Sequence, residues 1–345
     1  MKAVRLHAYD QRPTLDEVDD PKITDPHDVI IKIGGAGLCR TDLHIIEGQW
    51  KEKTNVPLPY TLGHENCGWV HAIGSAVSHV ALGDTVMVHP LVTCGLCRPC
   101  RAGDDMHCFQ GLFPGINVDG GMADFLKTGA RAVVKLDPII KPRDVAALAD
   151  AGLTAYHAVK KAVPLLYPGT FAVVIGAGGL GHIGIQSLKC LTSATIIVVD
   201  RSEGALKVAK ESGADITVLA DGKHIQKVKD ITNGFGCEAV IDFVGEGTAI
   251  ADGIAMLRRA GSYYVIGYGG TIDVSAIDMI STEINFVGNL VGTYNDLAEL
   301  MTLTAQGKVK LHTKTYALED FNQAMDDLHH GHLHGRGILL PAHAR

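Results

Sequence analysis

The segment VVIGAGGLGHIG, residues 173 to 184, constrains the fold of this chain more than any other. A β-branched run ends in Gly176, Gly178 and Gly181, spaced G-x-G-x-x-G, and then opens into an amphipathic stretch. The glycines permit a tight turn from strand to helix and let the backbone come close to a ligand, while the helix start aims its unpaired amides at that ligand. A strand of this kind is buried on both faces, so the flanking sequence should repeat the strand-and-helix unit. From Phe171 onward six strand candidates alternate with helix-length segments: FAVVI (171–175), TIIVVD (195–200), DITVL (215–219), AVIDF (239–243), YYVI (263–266) and INFVGNL (284–290). The expectation is α/β: a doubly wound parallel sheet of the Rossmann type.

Such a loop binds the pyrophosphate of a dinucleotide, with Gly179 and Leu180 completing it between the patterned glycines. The same pattern calls for an acidic residue about 20 positions on, at the end of the next strand, and Asp200 stands there. Its carboxylate would accept hydrogen bonds from ribose hydroxyls and repel a 2'-phosphate, which favours NAD over NADP. Arg201, next to it, would soften that repulsion.

The first 150 residues read differently, as short apolar runs such as DVIIKI, GWVHAI and DTVMVHP broken by Gly, Pro and Asp, the form of a mostly β domain. After the last strand candidate the chain runs 55 residues to Arg345, too few for a further domain and expected to return to the first. A chain of 345 residues with 46% hydrophobic and 20% charged content suits two soluble domains. A net charge of -7 without a basic stripe argues against nucleic acid or an anionic membrane as partner, and no run approaches the apolar length of a membrane span. The cytoplasm is the expected compartment. In that reducing setting four cysteines within fifteen residues, Cys94, Cys97, Cys100 and Cys108, indicate a metal site before a disulfide. Four thiolates with such short spacers suit structural zinc. An iron-sulfur cluster shares the first two spacings, but the last gap is seven residues and no proline follows Cys108. The run HHGHLHG, holding His329, His330, His332 and His334, is read as a solvated turn and not as a transition-metal site.

A second set of metal-ligand residue types lies in GLCRTDLH (37–44) and LGHENCG (62–68). Together with the cysteine lobe and the glycine loop, Cys39-Arg40-Thr41-Asp42 with His44, and Gly63-His64-Glu65, make the chain resemble the zinc-dependent medium-chain alcohol dehydrogenases over nearly its whole length. The resemblance implies a GroES-like catalytic domain over residues 1–152, rejoined by residues 291–345, and a Rossmann NAD-binding domain over residues 153–290. It implies two zinc ions per chain. One is catalytic, on Cys39, His64 and Asp150, where aspartate stands in place of the cysteine of many members; the other is structural, in the four-cysteine lobe.

The family pattern also gives roles to further residues of this chain. Asp42 would orient the metal-binding histidine, and Glu65 would be near enough to bind the metal when another ligand leaves. Thr41 and His44 would relay the alcohol's proton, Thr154 would pack near the nicotinamide, and Arg40 and Arg336 would clamp the pyrophosphate unless they are ordinary surface charges. The implied reaction is reversible oxidation of a primary or secondary alcohol to an aldehyde or ketone, through a metal-stabilised alkoxide that gives up hydride to NAD. Ile46, Trp50, Leu112 and Leu290 are pocket candidates, suggesting a medium-sized or aromatic substrate. A polyol or threonine dehydrogenase on the same scaffold, a zinc-free reductase and a non-enzymatic NAD-binding metal protein are the competing readings. Relatives of this length are tetramers or dimers, and INFVGNL is the candidate for pairing across such an interface.

Overall fold

The structure is a computed structural model that describes every residue except Asn55 and His334. Contacts divide the chain into one unit of Met1–Leu153 with Thr293–Arg345 and another of Thr154–Gly292.

In the first unit, strands β1 (Lys2–Leu6), β2 (Thr14–Glu17) and β4 (Tyr60–Thr61) form a small antiparallel sheet in the order β2-β1-β4. A larger sheet runs β15-β16-β3-β5-β6-β8, with β7 also on β3. Its members are β3 (Asp28–Leu38), β5 (Glu65–Ile73), β6 (Thr85–Val88), β7 (Phe125–Gly129), β8 (Val133–Lys135), β15 (Thr313–Ala317) and β16 (Arg336–Leu340). Period-two alternation drives the spine of this sheet: Val29, Ile31 and Ile33 of β3 all face one core and are fully buried. Each such side chain contributes about 1.5–3 kcal/mol by leaving water. The last residues of the chain supply β16, which pairs antiparallel with β3 from Gly337↔Leu38 to Leu339↔Ala36.

The second unit is one parallel sheet in the order β11-β10-β9-β12-β13-β14. These strands are β9 (Phe171–Ile175), β10 (Thr195–Asp200), β11 (Ile216–Leu219), β12 (Cys237–Asp242), β13 (Leu257–Val265) and β14 (Asn285–Gly288). Ala172 and Val174 of β9 pack into one hydrophobic cluster and Val173 and Ile175 into another, on opposite faces of the sheet. Burial on both faces is why these strands read as unbroken apolar runs. The larger differences from the sequence reading are that β13 starts at Leu257 instead of Tyr263 and that β14 spans Asn285–Gly288 instead of the whole of INFVGNL, while the ends of β11 and β12 shift by one or two residues. Among the described residues no helix is long and apolar enough to cross a membrane.

Candidate active site and metal centres

Four potential metal ligands converge inside the first unit. Cys39 leaves β3 in an extended conformation and caps the helix Arg40–Ile46, and its amide donates to Asp42 Oδ2 at 2.9 Å. That reciprocal capping box fixes where both side chains begin. Gly63, at φ 99°, turns the chain into β5, and a Cβ there would strike Met122. His64 and Glu65 follow and are both buried. Asp150 ends the 3-10 turn Ala146–Ala149 just before the helix Ala151–Ala162. One ligand atom from each of Cys39, His64, Glu65 and Asp150 lies within 4.8 Å of all the others.

His64 shows what this cluster is built to hold. Its Nε2 is 3.4 Å from Asp150 Oδ2 and its Nδ1 3.3 Å from Asp42 Oδ1, yet neither nitrogen makes an aligned hydrogen bond. Burial opposes a charge on the imidazole, but the carboxylates of Asp42 and Asp150 outweigh burial and hold its pKa well above the ordinary histidine range. A buried thiol, an imidazole with orphaned nitrogens and nearby carboxylates favour positive charge, and this donor set fits Zn²⁺.

Glu65 is not simply poised for the metal. Arg336 Nη2 donates to its Oε1 at 2.6 Å and its Oε2 at 2.5 Å, and the Ala151 amide donates to Oε1 at 3.0 Å. Burial raises the Glu65 pKa, and Arg336 works against that rise. Arg336 is 4% exposed, so it is no surface charge, and its Nη2 pairs with Glu65. The close approach of β3 to β5 accommodates the pair only because residue 37 is glycine, since a Cβ there would overlap the Glu65 carboxylate.

The four cysteines of the lobe also converge within 4.8 Å. Cys97 Sγ lies 3.4 Å from Cys100 Sγ and 3.8 Å from Cys108 Sγ. Backbone amides point at the sulfurs: Leu96 and Cys97 donate to Cys94 Sγ, and Cys94 and Gln110 to Cys108 Sγ. The amides of Leu96 and Cys97 pull the Cys94 thiol down to about 6, whereas burial pushes Cys100 up to about 12. This arrangement fits a closed tetrahedral zinc site.

In the second unit the glycine loop joins β9 to the helix Gly181–Leu191, with Leu180 at the cap. Gly176 has φ 87°, and a Cβ on Gly181 would lie 1.8 Å from the Gly176 carbonyl oxygen, so both positions require glycine. A Cβ on Gly178 would meet nothing within 4 Å, which leaves open space over the loop as a pyrophosphate cradle needs. Asp200 ends β10, its Oδ2 accepting from the Ala177 amide and its Oδ1 from the Ser202 amide, each at 2.8 Å. His182 Nδ1 lies 2.8 Å from the Gly178 carbonyl oxygen, a second brace that sequence reading overlooked.

Other candidates scatter more. Arg40, Thr41 and His44 share the helix that Cys39 caps, with Arg40 exposed and the other two half-buried. Thr154 lies one turn into the helix that follows Asp150, and Arg201 is exposed beside Asp200. Ile46 and Trp50 pack on the core of the first unit, Leu112 is exposed on that unit, and Leu290 is exposed on the second. Phe113, which carries no motif, sets its ring edge-on to His64 with centroids 5.9 Å apart. His329, His330 and His332 are exposed, their ligand atoms form no convergent cluster among the described residues, and His334 lies outside those residues.

Residues 25–138 match the alcohol dehydrogenase GroES-like domain, and residues 179–306 match the zinc-binding dehydrogenase domain. An NAD-dependent alcohol dehydrogenase of Sulfurisphaera tokodaii is 35% identical over 350 residues, covering 99% of this chain and 100% of that one. A D-arabinose 1-dehydrogenase (NADP(+)) of Saccharolobus solfataricus is 32% identical, covering 99% of this chain and 97% of that one. The crystal structure of the alcohol dehydrogenase from the hyperthermophilic archaeon Aeropyrum pernix superposes with a TM-score of 0.95 at 44% identity, over 99% of this chain and 100% of that one. A likeness that runs the full length of both partners leaves one assignment: this chain belongs to the zinc-dependent medium-chain alcohol dehydrogenase family.

Proposed function

We propose that the chain catalyses the reversible, NAD-linked oxidation of a primary or secondary alcohol to an aldehyde or ketone, using a zinc ion at Cys39, His64 and Asp150. The observation that carries this reading is the buried convergence of those ligands, in a chain whose second unit holds a dinucleotide loop. Zinc bound there would supply Lewis-acid polarisation of the reacting oxygen. The residues of the chain do the rest. Asp42 keeps the His64 imidazole oriented, as a carboxylate behind a metal-binding histidine does. Arg336 holds Glu65 at the edge of the cluster, so Glu65 becomes a ligand only by giving up that pair. Thr41 and His44 would relay the proton of the alcohol hydroxyl toward water.

For the cofactor, Gly176, Gly178, Gly179, Leu180 and Gly181 receive the pyrophosphate with help from Arg40. Thr154 meets the nicotinamide, and Asp200 accepts from the ribose while excluding a 2'-phosphate. Arg201 leaves residual NADP use open, as in the sugar dehydrogenase among its relatives, whose name also keeps polyols as the second reading. The pocket reading is a medium-sized or aromatic alcohol against Ile46, Trp50, Leu112 and Leu290, with Phe113 added by its contact with His64. The proposed setting is the cytoplasm and the proposed assembly a homotetramer or homodimer. An unpartnered edge strand, β14, supports association, as does the helix before it, which exposes Ile277 and Ile280.

Elemental analysis of dialysed protein should find about two zinc per chain. Cys39→Ala should abolish turnover, at least about 10³-fold, while NADH fluorescence still reports binding. Turnover retained without Cys39 refutes the mechanism.

A further inference from the structure

Asp242 and Tyr263 belong to no motif, yet both are fully buried, and the tyrosine hydroxyl donates to Asp242 Oδ2. Asp242 closes β12 in register with Ile175, the last residue of β9 before the glycine loop. The sheet grows from β9 through β10 on one side and through β12 on the other, so this strand boundary is the switch point at whose carboxyl ends a doubly wound sheet takes its ligand. The second oxygen of Asp242, Oδ1, accepts from the Val244 amide at 2.8 Å and the Gly245 amide at 3.0 Å, which pins the turn that follows the strand. That turn lies against the glycine loop and its helix. The Phe243 amide donates to the Ile175 carbonyl oxygen at 3.0 Å. A Cβ on Gly176 would lie 2.6 Å from Val244 Cγ2, and one on Gly184 2.6 Å from Phe243 Cζ. Val244 is nevertheless 37% exposed, which leaves an apolar side chain open beside the loop. A buried carboxylate is costly unless its oxygens have donors, and leucine with phenylalanine would fill this core without that cost. What the polar pair adds is a fixed conformation of residues 243–245.

We propose that Tyr263 and Asp242 are positioning residues for the cofactor: the tyrosine hydroxyl restrains the carboxylate, and the carboxylate holds residues 243–245 as a second wall of the dinucleotide crevice. Val244 is the side chain of that wall that meets the dinucleotide, while Asp242 and Tyr263 act through it from the core. The inference rests on the reading of the glycine loop as an NAD site.

The test uses the full, zinc-loaded chain, with NADH fluorescence titration, steady-state kinetics and thermal unfolding on each variant. Tyr263→Phe keeps the ring in the core and removes only the hydroxyl. It should weaken NADH binding about 5- to 10-fold and raise KM for NAD by a similar factor, with kcat at saturating NAD no lower than the parent's and zinc content unchanged. Tyr264→Phe is the control: that hydroxyl donates to the Lys161 carbonyl oxygen instead, so the variant should bind NADH like the parent. Val244→Ala should also weaken NADH, and combined with Tyr263→Phe it should give less than the product of the separate effects, because both act through one wall. A Tyr263→Phe protein that unfolds earlier but keeps parental NADH affinity, or effects of the two substitutions that simply multiply, overturns the proposal. If Tyr263→Phe does not fold, Asp242→Asn, which keeps the shape and loses the charge, is judged by the same criteria. Val244→Ala changes a partly exposed side chain, and unaltered NADH affinity there refutes the wall by itself. A parent that binds no NADH defeats the dinucleotide reading instead.

Discussion

Glu65 and Arg336 are 271 positions apart in sequence and meet in a buried ion pair. Two charges removed from water are tolerable only while each has the other, so the pair is expected to behave asymmetrically. Arg336→Met should strand the Glu65 carboxylate and cost about 3–5 kcal/mol, whereas replacing both, as Arg336→Met with Glu65→Leu, should recover most of that loss. A double-mutant cycle of thermal or urea unfolding measures the difference, and a double variant no more stable than the single one would show that the pair is not what holds the two strands together. This pairing also marks the limit of sequence reading at single residues. Cys39, His64 and the lobe cysteines announce themselves by type and spacing. Asp150 needed the family pattern. The partner of Arg336, the ring of Phe113 on His64 and the bond from Tyr263 to Asp242 follow from long-range packing that no local pattern encodes.

Secondary-structure elements were legible in proportion to how far burial alone shapes them. FAVVI and TIIVVD, covered on both faces and closed by glycine and aspartate, coincide with β9 and β10 end to end. β13 reads short because the residues after Leu257, RRAGS, are charged or small; they join the strand through a register shift against β12 and a positive φ at Ala260. β14 was read long because its flanking apolar residues, including the exposed Leu290, continue the pattern beyond the ladder. The glycine loop allows a sharper test, since its glycines serve different ends. At Gly181 a side chain collides with the Gly176 carbonyl, so Gly181→Ala should lower the stability of the second unit as well as NAD affinity. At Gly178 a side chain enters only open space, so Gly178→Ala should fold like the parent and bind NADH about 10-fold or more weakly. Paired thermal unfolding and NADH titration separate the two, and a Gly178→Ala protein with unaltered affinity would remove the pyrophosphate from this loop.

Across the whole molecule, both metal-ligand clusters sit in the first unit and the dinucleotide loop in the second. In the proposed mechanism chemistry on zinc depends on the Cys39, His64 and Asp150 cluster, and the four-cysteine lobe is left with a structural task. The lobe is suited to it, because backbone amide hydrogen bonds hold the thiols of Cys94 and Cys97 below their ordinary range. Four thiolates this close would repel one another until a cation neutralised them, so zinc bound there would act as a cross-link between residues 94 and 108. Replacing Cys97 and Cys108 together by serine should bring the metal content from about two zinc per chain to about one. Turnover per folded molecule should stay within about 2-fold of the parent, because no lobe cysteine belongs to the Cys39, His64, Glu65 and Asp150 cluster. Survival at elevated temperature should shorten, because the metal's binding energy counts toward folding. Zinc content, initial rates and inactivation half-lives on the same preparation test all three. A folded variant that keeps one zinc but loses turnover would mean that the lobe contributes to the reaction and not to stability alone.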